Sequence, residues 1–281
     1  MIARRAEEAG IDVISVFHDL LYQPAIGPLL LMARGTERIR LGPAALNPFT
    51  LHPYEIAGQI AMLDAVSGGR AYLGLAKGAW LDRLGIEEER PLSALKECVA
   101  IVQALLAGDE SGVVGERFTL APGTALAYPR FRDRVPLMIG TWGPDTARWA
   151  GAVADEVKIG GTANAGLLPV VRGWIGNAGV KLVVGCVTVV DEDADWAKAR
   201  ATEVVQPYLD VVARHDPTLE PGEEPRLERF CIAGAPEEVA ARVVELWEAG
   251  ADRVELGTPQ GRTPLAGVEL ICERVLPLVG R

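Results

Sequence analysis

Short, nearly continuous apolar runs alternate along this chain with longer segments of helical period, and that alternation constrains the fold more than any other feature. "IDVISVF", "RAYLGLA", "VPLMIG" and "KLVVGCVTVV" are too short for helices and rich in β-branched residues. Between them lie patterns such as "YEIAGQIAMLDAVSGG" and "PLSALKECVAIVQALLAG", the second opening on Pro91 and closing on Gly108. Strands without polar alternation are buried on both faces. Strands and helices in turn therefore imply a parallel sheet covered by helices. Seven core strands are expected, near 12–17, 38–45, 71–76, 135–140, 155–160, 181–190 and 252–257.

A (β/α) barrel needs eight strands. The chain opens on a helical pattern, "IARRAEEAG", that reads like the helix after a first strand. The rival architecture, an open doubly wound sheet, carries a G-x-G-x-x-G turn after its first strand. None occurs here. A barrel is the expectation, as one domain over residues 1–281. Residues 109–134, which break the rhythm, form an insertion with a small hairpin; residues 216–228 form a polar loop.

Composition narrows the function classes. The net charge is −10, with 28 basic against 38 acidic residues and no Lys/Arg cluster. Nucleic acid and anionic membrane are poor partners for such a surface. The four cysteines are dispersed through apolar segments, and the three histidines have no metal-ligand spacing. No apolar run is long enough to span a bilayer, and no secretory signal opens the chain. The expectation is a soluble cytoplasmic protein acting on a small molecule, with no dedicated metal.

Where a barrel strand should end, residues 38–53 read "RIRLGPAALNPFTLHP", with small residues and three prolines before a helix starts. Such a stretch fixes the backbone and leaves space beside it. On this block, extended to "ERIRLGPAALNPFTLHPYEIAGQIAMLDAVSGGRAYLGLAKG", and on "VPLMIGTWGPDTARWAGAVADEV", "AGAPEEVAARVVELWEAGADRVELG" and "GTPQGRTPLAGVELICERVLPLV", the chain resembles the bacterial luciferase-like superfamily. More narrowly, it is similar to the branch that uses the deazaflavin coenzyme F420 and includes methylenetetrahydromethanopterin reductase.

The resemblance implies a TIM barrel whose first strand precedes a helix like this chain's opening one, and that strand is missing here. It implies hydride transfer between F420 and an organic substrate. Two alternatives are an FMN-dependent monooxygenase and a non-catalytic flavin-binding or structural barrel. It also implies a homodimer. Carried over residue by residue, it places a non-proline cis peptide at Ala44–Ala45, with Pro43 and Asn47 beside it, against the cofactor ring. Lys77 and Gly78 follow the next strand, as a phosphate contact or a solvated loop. Trp142, Gly143 and Pro144 open a helix whose N–H groups suit an anion; Trp142 either stacks on the ring or caps the barrel. Gly160 and Gly161 line the cofactor tail or make a tight turn. His18 and Asp19 are the catalytic candidates, in the reverse of the family's Asp-His order. Gln260 is a substrate or cofactor contact. His52 reads as structural. Glu237, Glu238, Arg242, Glu245 and Glu248 read as a solvated helix face.

Overall fold

The structure is a computed structural model that describes residues 1–20, 22–220, 223 and 226–280. Four residues of the polar loop expected at 216–228 lie outside this range. In chain order the main elements are α1 (Ile2–Glu8), β1 (Val13–Val16), α2 (Ile26–Arg34), β2 (Arg40–Pro43), α3 (Pro53–Ser67), β3 (Leu73–Leu75), α4 (Pro91–Ala107), β4 (Leu137–Gly140) and α5 (Pro144–Val153). They continue with β5 (Glu156–Gly160), α6 (Leu168–Ile175), β6 (Lys181–Val190), α7 (Ala194–Ala213), β7 (Cys231–Gly234), α8 (Pro236–Glu248), β8 (Arg253–Gln260) and α9 (Pro264–Leu270). All seven expected strands form. No strand precedes α1 among the described residues.

These elements group into two compact units, Ile11–Gly140 and Met1–Gly10 with Thr141–Arg281. In the first, β1 pairs in parallel with β2 from Val13↔Arg40 to Val16↔Pro43, and β3 with β4 from Leu73↔Leu137 to Leu75↔Ile139. Parallel bridges Leu41↔Ala71 and Leu46↔Leu75 join β2 to β3. Helix α3 is fixed at both ends. The His52 imidazole Nδ1 accepts from Tyr54 N–H at 3.2 Å ahead of Pro53, and Gly68 closes the helix at φ 65°. His52 is thus the structural residue the sequence suggests. Arg70 ties the ends of α2 and α3 to β2 by donating to the carbonyls of Ala33, Thr36, Ile39 and Ser67 at 2.7–2.9 Å. Within 109–134, Val113 and Leu120 exchange both backbone hydrogen bonds, at 2.9 and 2.8 Å, as the expected hairpin requires.

In the second unit β6 is the spine. Its first half, Lys181–Gly185, pairs with β5; its last residues, Val187–Val190, pair with β7; and β8 runs from Arg253 opposite Val183. Strand β7 was not expected from sequence. It is a four-residue run, "CIAG", flanked by the polar loop and the Pro236 helix start, and its length carries almost no periodicity. It lengthens the sheet beside β6. Strand β8 runs to Gln260, three residues past its expected end, through a cis Thr258–Pro259 bond. All four cysteines are free and buried. No helix among the described residues is long and apolar enough to cross a membrane, and none of their acidic, His and Cys side chains cluster as a metal site.

Candidate active site

Strand C-terminal ends carry the sites of parallel α/β folds, because their loops converge there. In the first unit the ends of β1, β2 and β3 lie side by side. Residue 42 must be glycine: a Cβ there would stand 2.5 Å from the Tyr72 ring, which reaches across β2 to share a 2.7 Å hydroxyl hydrogen bond with Ser15. The next step along β2 is a bulge. Ala44 N–H still donates to Val16 at 2.8 Å, on the β1 side, while Leu46 N–H donates to Gly74 at 2.9 Å, on the β3 side. Between these anchors the Ala44–Ala45 peptide is cis, as the resemblance implies. Pro43 and Leu46 are buried and the two alanines half-exposed. The outcome is a shelf of backbone and two methyl groups.

Asn47 locks the segment beyond the shelf. Its Oδ1 accepts from Phe49 N–H at 3.0 Å, Thr50 N–H at 2.9 Å and the Thr50 hydroxyl at 3.1 Å. Its Nδ2 donor takes no part in these bonds. The turn after β3 closes onto it: at Gly78, with φ 84°, a Cβ would lie 3.0 Å from the Asn47 side chain. Lys77, just before, is exposed.

His18 stands on the loop after β1. Its Nδ1 accepts from Ala25 N–H at 3.1 Å, which assigns the proton of the neutral imidazole to Nε2. Burial pushes its pKa below the ordinary value, so the neutral form is favoured. Because β1 ends at Val16, strand alternation does not govern His18 and Asp19. Asp19 accepts Tyr22 N–H through its backbone carbonyl at 3.0 Å.

In the second unit, Trp142 is pinned by its indole N–H, which donates to the Gly160 carbonyl at 2.9 Å, and Thr141 N–H donates to Lys158 at 3.0 Å. The Thr141 hydroxyl accepts Gly143 N–H at 2.9 Å, and Pro144 opens α5. Gly161, at φ 74°, turns the chain after β5, and its N–H donates to Gly185 at 2.6 Å. Thr162 is wholly buried, with its hydroxyl on the Arg229 carbonyl. Gln260, at φ 62°, folds its amide back to the Leu256 carbonyl at 3.1 Å. The α8 face is solvated as expected at Glu237, Glu238, Glu245 and Glu248, which are exposed and make surface pairs such as Glu238 with Lys198 and Glu237 with Arg274, while the partly buried Arg242 donates to the carbonyls of Ala163 and Glu228.

One constellation escaped the sequence reading. Glu156 and Lys158 on β5, and Arg253 and Glu255 on β8, join over β6. Arg253 reaches Glu156 at 2.7 Å and Glu255 at 3.0 Å, and Lys158 binds Glu255. These four side chains are at most 15% exposed. Gly185 makes room: a Cβ there would meet Lys158 Cε at 3.0 Å. The signal was a charge at every second position of "EVKIG" and "RVEL", strands otherwise read as apolar.

The sequence profile of the luciferase-like monooxygenase family matches residues 1–253. The 5,10-methylenetetrahydromethanopterin reductase of Methanolobus tindarius is 27% identical over 98% of this chain and 94% of its own length. An F420-dependent glucose-6-phosphate dehydrogenase of Nakamurella multipartita is 32% identical over 64% of this chain and 58% of its own. The structure of the coenzyme F420 dependent tetrahydromethanopterin reductase of Methanopyrus kandleri superposes with a TM-score of 0.85 at 25% identity, covering 98% of this chain and 93% of that one. The α/β fold is therefore that of luciferase-like TIM-barrel proteins. The chain belongs to the luciferase-like monooxygenase family and is an oxidoreductase of that superfamily.

Proposed function

We propose that the protein is an F420-dependent oxidoreductase acting on a small organic substrate. The observation that carries this is the half-exposed Ala44–Ala45 shelf, held between buried Pro43 and Leu46 and anchored on either side to β1 and β3. Its two methyl groups leave a flat apolar surface for one face of a planar ring. The full-length likeness to reductases, one of them described as coenzyme F420 dependent, favours the deazaflavin. Coenzyme F420, when bound, supplies the hydride donor or acceptor.

The chain's own residues position and polarise. Ala44 and Ala45 seat the ring, Pro43 stiffens the approach, and Asn47 offers Nδ2 to a polar ring edge. Lys77 is assigned to the cofactor's polar tail. His18 holds its proton at Nε2 and donates it toward a substrate heteroatom, with its orientation set by Ala25. Asp19, next to it on the loop after β1, is assigned to the same step. The second reading, an FMN-dependent monooxygenase, has the family description in its favour.

Titration with F420 and with FMN, followed by Trp fluorescence, tests both. Saturable quenching by F420 and not FMN is expected, with loss of at least tenfold in affinity for Ala45→Leu, whose side chain covers the shelf. Tight FMN binding alone shifts the reading to the monooxygenase; saturation by neither overturns both.

We also propose a homodimer. Helix α3 carries apolar side chains outside its buried face: Tyr54, Met62 and Val66 are exposed, each at 37–44%, beside the polar Glu55 and Gln59. Leu31 on α2, and Tyr128 and Phe131, are exposed in the same unit. Exposed apolar side chains gathered in one unit mark a contact surface, and a second copy of the chain is the occupant proposed for it.

A further inference from the structure

Three strand ends carry the candidate site of the first unit, each within two residues of its last residue: β1 with His18, β2 with Ala44 and Ala45, β3 with Lys77. No continuous ladder sets their spacing. Backbone bonds join β2 to β3 at Leu41, whose N–H donates to Arg70 at 3.1 Å and whose carbonyl accepts Tyr72 N–H at 2.9 Å. They resume at Leu46, whose N–H donates to Gly74 and whose carbonyl accepts Ala76 N–H, both at 2.9 Å. Between these ties four residues of β2, Gly42–Ala45, stand against the one residue, Leu73, that separates Tyr72 from Gly74. Across this break runs the Tyr72 side chain, 1% exposed. Its ring fills the space that Gly42 leaves, the Arg40 guanidinium stands 5.7 Å from the ring centroid, and its hydroxyl meets the Ser15 hydroxyl at 2.7 Å. Ser15 is the β1 partner of Gly42, one residue before Val16, whose carbonyl anchors Ala44.

We infer that Ser15 and Tyr72 are positioning residues for the alanine shelf: their hydroxyl pair is a strut that holds β1 and β3 at the separation the shelf requires. One end of the shelf hangs from the Val16 carbonyl on β1 and the other from the Gly74 carbonyl on β3. Any drift of β1 against β3 is therefore taken up by the residues between, which include both alanines. Apolar packing resists compression but has little direction, whereas a hydrogen bond between two hydroxyls fixes both distance and angle. Its net worth to folding is small, because the pair exchanges bonds to water for a bond to each other. The strut thus contributes geometry more than stability, and that separates it from ordinary core packing. The inference rests on the reading of the shelf as a ring seat and goes beyond it by naming the side chains that set the seat's shape.

The test compares Ser15→Ala, Tyr72→Phe and the double variant with the parent, as whole proteins, by thermal melting, amide hydrogen exchange in NMR spectra and titration with F420. Removing both hydroxyls at once orphans neither, so the double variant should melt within about 2 °C of the parent. Exchange at the Ala44 and Leu46 amides, the two anchors, should quicken about tenfold while the amides of α4 exchange as before. Affinity for F420 should fall about tenfold. Ser15→Ala, at a half-buried position, breaks the same bond and should move the same two anchors even where the Tyr72 variants fold poorly. Side chains with a packing role alone would leave Ala44 and Leu46 unchanged, or would quicken them no more than α4; either result overturns the strut. Titration separates this from the cofactor reading. A parent that does not bind F420 removes the cofactor reading, and the exchange pattern alone then decides the strut. Faster exchange at both anchors with F420 bound as tightly as by the parent keeps the cofactor reading and overturns the positioning role.

Discussion

The Pro43 carbonyl oxygen stands 2.0 Å from where a Cβ on residue 74 would be placed. Gly74 is thus the residue that lets the bulge of β2 lean over β3 and present the alanine pair. Gly74→Ala forces backbone against a methyl group, with Met138 closing the other side at 2.8 Å. A loss of about 2–3 kcal/mol in stability is expected from denaturant titration. Any folded fraction should also bind F420 more weakly, because relief requires the bulge to withdraw.

Burial holds the His18 pKa below its ordinary value of 6.5. The native state therefore binds fewer protons than the unfolded chain in the interval between the two pKa values, and stability rises with pH across it. The contribution is complete above the ordinary value and is lost as pH falls through the lowered one. Protonation also removes the acceptor for Ala25 N–H. His18→Asn keeps an acceptor near the Nδ1 position and removes the Nε2 donor. The variant should melt within ~1 kcal/mol of the parent, lose this acid dependence of stability, and turn over at least a hundredfold more slowly. Unchanged turnover in this variant would remove His18 from the chemistry.

Much of this architecture was legible because burial on both faces makes parallel strands read as apolar runs and because glycine and proline mark helix ends. Pro91 and Gly108 bound α4 within one residue of the expected limits. The cis alanine pair came through likeness alone; nothing in "GPAALNP" distinguishes a cis bond from a rigid trans loop. Strand β7 was too short to announce itself. The Glu156–Lys158–Arg253–Glu255 cluster was hidden for a different reason. Charges within a strand read as outward-facing, and only register shows that two pairs from strands 97 residues apart meet over a glycine.

That cluster carries its own prediction. Lys158→Met removes the cation bound to Glu255 in a nearly dry interior and leaves the cluster with an excess of carboxylate. An uncompensated buried carboxylate costs about 3 kcal/mol, and the melting temperature should fall accordingly. Adding Glu255→Leu restores a balanced Arg253–Glu156 pair, so the double variant is expected to recover most of the loss. Additive losses in the double-mutant cycle would show that the four charges act independently.

The exposed apolar side chains Met62 and Val66 of α3 make the oligomeric state testable with one charge. Met62 is 44% exposed in the chain and carries no polar neighbour's hydrogen bond to disturb, so Met62→Glu should leave the fold of a monomer untouched. In a dimer closed through this face, twofold symmetry sets the same patch against itself, and each subunit would place a carboxylate in an apolar contact. Light scattering after size exclusion should then give about 30 kDa for the variant, the mass of one chain, against twice that for the parent. Val66→Lys, one helical turn on, should act in the same direction, since both side chains occupy one stripe. A parent that elutes as a monomer, or a variant that remains dimeric, would move the interface off α3 and leave its apolar surface to another explanation.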